Sequence, residues 1–268
     1  MIESAILYLF LGAFAGVGAG LFGIGGGLII VPVLIFTFTA QGMPQAVVTH
    51  AALATSLATI VLTSISSVIA HHRRGGVRFE ILKPLSVGIA LGATSGALVA
   101  DTLTGRTLQL MLGCFATAMS VYMALDIKPK RATSLPRVPE LSGVGVFIGG
   151  ASSLFGIGGG TLTVPYLTYR GVEMRQAVGT SAACGLPIAF FAASSYIFAG
   201  LDAQDMPQYS LGYIYMPAFI FVGTASSQFA KLGAKWAHSL PQKRLKQIFA
   251  LLLLAIGSRF LLINLLGG

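Results

Sequence analysis

LFGIGGGLIIVPVL at residues 21–34 returns as LFGIGGGTLTVPYL at residues 154–167, and the first seven letters are identical. A second pair follows shortly after each copy: MPQAVVTHAALATS at 43–56 and MRQAVGTSAACGLP at 174–187. Both copies then continue with two further apolar segments. Self-similarity at a fixed offset marks an internal repeat, so the chain divides into two copies, 1–133 and 134–268. Each copy carries one apolar element interrupted by GIGGG and followed by a proline.

The setting of that element is a membrane. The chain has 268 residues, 55% hydrophobic and only 9% charged, against about 25% charged in soluble domains. Mean hydropathy is +0.83. These values exclude a soluble enzyme, a disordered chain and a disulfide scaffold, and imply an all-α integral membrane protein. Its apolar segments are 4–39, 45–70, 81–100 and 107–126 in the first copy. In the second they are 140–169, 174–199, 209–230 and 245–266. The net charge of +9 sits in short loops between these segments, which suits membrane orientation rather than nucleic-acid binding. Cys114 and Cys184 lie in apolar segments without metal or redox spacing and are expected to be small buried residues. MIESAILYLFLGAFAG lacks a basic n-region and reads as part of the first membrane element rather than a signal peptide.

The first element of each copy is longer than one crossing needs. Glycine weakens a helix interior and proline breaks its hydrogen-bond ladder. Two readings follow: a long tilted span, or a re-entrant hairpin that dips to mid-depth and returns. Charge separates them. With hairpins, each copy contributes three crossings, and 15 of the 17 Lys and Arg fall on one side. These include HHRRGGVR (71–78) with Lys83, the linker 128–137, Arg170, Arg175 and the stretch 231–246. Only Arg106 and Arg259 remain on or toward the far side. With full crossings the basic residues divide almost evenly. The positive-inside rule therefore favours hairpins, with loops 71–83, 128–137 and 231–246 cytoplasmic in a cell (inner) membrane. Three crossings per copy invert the second repeat relative to the first. The predicted fold is an inverted-repeat helical bundle, each repeat a broken helix pair plus three transmembrane helices, as in transporters.

After each GIGGG the chain can restart as a half-helix, over 28–38 and 161–169. The candidate binding residues at the breaks are Gly23, Gly25, Gly26 and Gly27 in the first copy and Gly156, Gly158, Gly159 and Gly160 in the second. Two half-helix N-termini approaching from opposite sides present unpaired N–H groups and positive dipole ends, which suits an anion. The competing reading is close helix crossing, which is preferred for the ladders Gly12/Gly16/Gly20 and Gly88/Gly92/Gly96. GAGLFG at 18–23 spells a dinucleotide pattern, but no strand precedes it and its counterpart breaks it. No Lys-Ser or Lys-Thr follows the glycines, which excludes a P-loop, and no other cofactor motif appears.

All eight acidic residues lie near segment ends or in loops, so no carboxylate is placed for cation transport. The histidines form no metal-ligand cluster. His50 stands apart, in the opening turn of the second element beside Thr49, and its counterparts are Thr180 and Ser181. Hydroxyls and a neutral imidazole can donate to an oxyanion, and His50 could carry a coupled proton. The alternative is a histidine capping a helix start. The run Thr55, Ser56, Thr59, Thr63, Ser64, Ser66 and Ser67 could line a polar path or bond back to its own helix. A serine nucleophile has no positioned base, so no enzyme is read here.

The doubled GIGGG followed by VP, the Gln-Ala-Val-x-Thr pairs and the length resemble the TauE/SafE family of membrane permeases over the whole chain. The resemblance implies a carrier of small anions such as sulfite, sulfonates or thiosulfate. The two half-helices differ at their first turn, Leu28-Ile29-Ile30 against Thr161-Leu162-Thr163, so Thr161 and Thr163 join the candidate substrate contacts. The expected function is a secondary transporter of small anions working by alternating access. An anion or solute channel and a membrane scaffold are the rivals.

Overall fold

The computed structural model describes residues 2–22, 26–73, 75–125, 137–237 and 242–266. Gly23, Gly25, Arg74, His238 and the basic linker residues Lys128, Lys130 and Arg131 lie outside them. The described residues form ten helices. The first half contributes α1 (Ile2–Phe22), α2 (Gly27–Ala40), α3 (Gln45–Arg73), α4 (Phe79–Thr102) and α5 (Gly105–Ala124). The second contributes α6 (Val138–Phe155), α7 (Gly160–Tyr169), α8 (Met174–Ala199), α9 (Met216–Ala237) and α10 (Gln242–Leu266). A two-stranded hairpin, β1 (Ser210–Leu211) and β2 (Ile214–Tyr215), precedes α9.

The expected break falls where the glycines stand in both copies, and α2 and α7 begin at Gly27 and Gly160. Both are short and carry a proline six residues in, Pro32 and Pro165. Six helical stretches among the described residues are long and apolar enough to cross a membrane: α3, α4, α5, α6, α8 and residues 247–266 of α10. Five of these match expected spans. The sixth is α6, the first arm of an expected hairpin. The segment expected to span at 209–230 behaves differently. Tyr209 (φ 68°) and Gly212 (φ +54°) turn the chain into the β-hairpin first. The helix then starts only at Met216 and carries Ser226, Ser227, Gln228, Lys231 and Lys235 in its later half.

Glycine contacts fix the helix directions. A side chain added at Gly88 would meet the Ser142 carbonyl and one at Gly92 the Val146 carbonyl, so α4 and α6 run parallel with backbones touching. Gly12 lies against Val222 and Gly16 against Ser226, so α1 and α9 are likewise parallel. The preferred packing role of the ladders is what the structure displays at Gly12, Gly16, Gly88, Gly92 and Gly96. By contrast, α5 and α10 are antiparallel: Arg106 donates to the Asn264 carbonyl, and Ser120 Oγ to the Ala250 carbonyl at 2.7 Å. The same holds for α3 and α8, where Gly185 faces Ser64 and Gly179 faces Gly76.

These directions require α1 and α2 to leave and return to the same end of the bundle, and side chains clasp the two arms there. Tyr8 donates to Gln41 Oε1. In the second half Tyr166 donates to Glu140 Oε1 at 3.0 Å, and Arg170 pairs with Glu140. Helix α6 is long enough to cross, yet α7 returns beside its start. The described basic residues Arg73, Arg78, Lys83, Arg137, Arg170, Arg175, Lys231, Lys235 and Arg244 therefore gather toward one end. Arg106 sits at the other end with Asp101, Asp202 and Asp205. Arg259 lies over the Phe36 ring, 4.3 Å from its centre.

The core is built from α3, whose residues 47–60 are buried, wrapped by the other helices. Large apolar side chains such as Phe10, Phe147, Phe198 and Leu251 point outward, as a lipid-facing surface requires. Cys184 is buried as expected, but Cys114 is exposed. It stands on the outward face of α5, a position that apolar composition cannot distinguish from the inward one.

Candidate functional site

The two breaks meet inside the bundle, Gly27 against Gly156 and Ile157. Gly26 adopts φ 75°, and its carbonyl accepts the N–H groups of Ile29 and Ile30, both at 2.9 Å, which starts α2. Gly27 then abuts the other break: an added Cβ would collide with the Gly156 carbonyl and come within 2.6 Å of Ile157 Cα. Gly156 ends α6 at φ 63°. Its carbonyl accepts Ser56 Oγ from α3 at 2.9 Å, and Val31 and Leu53 close around it. Gly159 packs against the Ser181 carbonyl. Close approach is thus one use of these glycines. Ser56→Ala should cost about 1–2 kcal/mol by leaving the Gly156 carbonyl unpaired, seen as a lower Tm of the purified protein.

The second break also concentrates unpaired polarity. Among the described residues, Ser152 Oγ in the last turn of α6, Thr163 Oγ1 in the first turn of α7 and Ser181 Oγ in α8 are buried without a hydrogen-bond partner. Thr161 Oγ1 reaches only the Gly158 carbonyl, at 3.4 Å. Thr163 N–H bonds the Gly159 carbonyl at 2.9 Å, and the N–H groups before it in α7 precede the helical ladder. Buried hydroxyls are nearly always satisfied. Three left open around one half-helix start, with Gly158, Gly159 and Gly160 between them, form a cradle of donors. In the first half the matching sequence positions hold Ala19, Ile30 and His50.

Thr49 and His50 stand elsewhere, nearer the end that carries Arg106. His50 is 4% exposed and lies one helical turn before Leu53, which touches Gly156. Its Nε2 is 3.0 Å from the Ala100 carbonyl. Its ring stacks on Tyr213 with centroids 5.1 Å apart. Tyr213 donates to Asp101 Oδ1 at 2.8 Å, and burial together with that carboxylate pushes the Tyr213 hydroxyl up to about 12. Thr49 Oγ1 accepts from Gln109 Nε2 at 2.8 Å, and Gln109 Oε1 accepts from Asn264 at 3.0 Å. His50, Asp101, Gln109, Tyr213 and Asn264 line an open cavity of about 710 Å³.

Sequence reasoning found His50 and Thr49 but not Asp101, Arg106, Gln109, Tyr213 or Asn264. Gln109 and Asn264 were detectable as amides inside apolar helices. Thr180 is at the opposite end, where its hydroxyl accepts the Arg78 N–H at 3.0 Å. The hydroxyl run on α3 divides in use. Thr59 and Thr63 bond back to their own helix, while Ser56 and Thr55 bind Gly156 and the Tyr215 N–H. No group of three or more metal-binding side chains occurs among the described residues.

Comparison with known proteins agrees with this architecture. The family described as Sulfite exporter TauE/SafE matches residues 8–260. A probable membrane transporter protein of Haemophilus influenzae is 39% identical over 257 residues, covering 96% of this chain and 97% of that protein. Another, from Methanocaldococcus jannaschii, is 27% identical over 96% of this chain and 95% of its own length. No solved structure matches the chain. A doubled glycine break in a bundle of apolar helices, matched by the family almost end to end, makes this chain a multi-pass membrane transporter that belongs to the sulfite exporter TauE/SafE family.

Proposed function

We propose that the protein is a secondary transporter of small anions of the sulfite, sulfonate or thiosulfate class, working by alternating access around the second glycine break. The observation that carries this reading is the trio Ser152, Thr163 and Ser181, buried and unpaired around the α7 N-terminus. An oxyanion there would accept their hydroxyls and the free N–H groups of the first turn. The remaining contacts come from Gly156, Gly158, Gly159, Gly160 and Thr161. Gly26 and Gly27 supply the opposing wall, with Gly23 and Gly25 just before them in the chain.

Two copies, 1–133 and 134–268, related by inversion, account for the packing. Equivalent helices α3 and α8 run antiparallel, as do α5 and α10, and α4 on α6 matches α9 on α1. The contact of Gly27 with Gly156 and Ile157 supports a carrier rather than an open pore, because backbone meets backbone where the breaks cross. The basic end faces the cytoplasm of a cell membrane under the positive-inside rule. An inside-negative potential then favours anion export by about 2.3 kcal/mol per charge per 100 mV.

The test is flux from proteoliposomes loaded with sulfite, thiosulfate, sulfoacetate or chloride. The expected result is saturable efflux of a sulfur oxyanion, accelerated when the same anion is present on the far side. Non-saturating flux without exchange would identify a channel, and absence of flux in folded protein would reject transport of these anions.

A further inference from the structure

The cavity at the Arg106 end contains a site that the reading above does not use. Asp101, Arg106, Gln109, Tyr213 and Asn264 line it together with His50, contributed by α4, α5, the β-hairpin and α10. A backbone carbonyl has no proton to give, so the 3.0 Å contact to Ala100 fixes His50 with its hydrogen on Nε2. Its Nδ1 then carries a lone pair, and that atom is buried without any partner among the described residues. Most buried histidine nitrogens are satisfied. This one is an open proton acceptor beneath the Tyr213 ring.

The charges around it are few. Asp101 reaches His50 through Tyr213, Arg106 lines the same cavity from α5, and α3 and α10 bring only the uncharged Gln45 and Asn264. With His50 neutral, the carboxylate and the guanidinium cancel. A proton on Nδ1 leaves one uncompensated positive charge, stacked on an aromatic ring that tolerates it. Arg106 spends Nε and one Nη2 hydrogen on the Asn264 carbonyl, and its remaining N–H groups are available to a ligand.

We infer that this cavity is a vestibular binding site that takes up one monovalent anion together with one proton, the anion at Arg106 and the proton at His50 Nδ1. The inference rests on the transport reading for its purpose, since a vestibule that pairs anion with proton couples anion movement to a proton gradient. Linkage makes the two ligands reciprocal: acid tightens the anion, and the anion raises proton affinity. His50 is one turn from Leu53, the residue that touches Gly156, so α3 links the cavity to the break.

The experiment uses methanesulfonate, a monoanion that does not itself titrate between pH 5 and 8, on the purified full chain. Binding is followed by thermal stabilisation at pH 5.5 and 7.5, and by pH-indicator absorbance on mixing in weak buffer. Tighter binding at pH 5.5 is expected, by up to about tenfold per pH unit, with uptake of up to one proton per anion bound. His50→Gln, which keeps a donor for the Ala100 carbonyl, should bind with no pH dependence and no proton uptake. Arg106→Gln should lose binding at both pH values. The wild-type indicator signal needs no variant, so a variant that fails to fold does not decide the result. Wild-type binding without pH dependence or proton uptake, or no binding at either pH, would overturn the inference. Saturable sulfur-oxyanion flux persisting in those same preparations would leave the transport reading standing.

Discussion

Gly27→Ala is expected to destabilise the protein by about 3 kcal/mol, at the upper end of overpacking costs. A methyl group at Gly27 is driven into the Gly156 carbonyl and to 2.6 Å from Ile157 Cα. Both are backbone atoms of the opposing break, and neither can rotate away. Retreat would also disturb the Ser56 bond to the same carbonyl. The control is Gly143→Ala in α6, where an added Cβ meets nothing within 4 Å. Alanine there is expected to be neutral or stabilising by up to about 1 kcal/mol through helix propensity. Thermal unfolding of the two variants in one detergent measures the difference. Equal Tm values would mean that the breaks do not touch through Gly27.

Thr163→Val is expected to move stability and transport in opposite directions. The hydroxyl is fully buried and unpaired, so an isosteric methyl removes a desolvated polar group, and stability should hold or rise by about 1 kcal/mol. If the hydroxyl donates to the anion in transit, a bond to a charged group worth about 1.5–3 kcal/mol is lost. That lowers flux by roughly 10- to 100-fold. Thr161→Val should have a smaller effect, because Thr161 already bonds the Gly158 carbonyl, weakly, at 3.4 Å. A packing role for Thr163 predicts unchanged flux instead. Liposome flux together with Tm on the same preparations separates the two.

The broken elements were legible because two independent signals coincide on them. Glycine and proline disrupt a helix at defined positions, and the basic residues fall to one side only if the element doubles back. The extra hydroxyls of the second break were legible from the single comparison of Leu28-Ile29-Ile30 with Thr161-Leu162-Thr163. The cavity at the Arg106 end was not. His50, Asp101, Arg106, Tyr213 and Asn264 come from separate elements, and at segment ends Asp101 and Arg106 look like ordinary loop charges. Only the packing of α4, α5 and α10 with the hairpin brings them together. The hairpin itself was hidden because YSLGYIYM is as apolar as the helix that follows. Its turn depends on the positive φ of Tyr209 and Gly212, which composition does not display. Cys114 shows the same limit, since an apolar helix has no polar face to tell lipid from core.

In the proposed mechanism the anion passes the α7 start. The most direct test of this is a single cysteine at Thr163, made as Thr163→Cys with Cys114→Ala and Cys184→Ala, reconstituted and exposed to a small water-soluble thiol reagent. Slow labelling is predicted, because the position is closed in the state described and opens during turnover. The transported anion should protect it at concentrations that saturate flux. A cysteine that stays unreactive from both sides while the same vesicles still transport would contradict the account and move the pathway away from the glycine breaks.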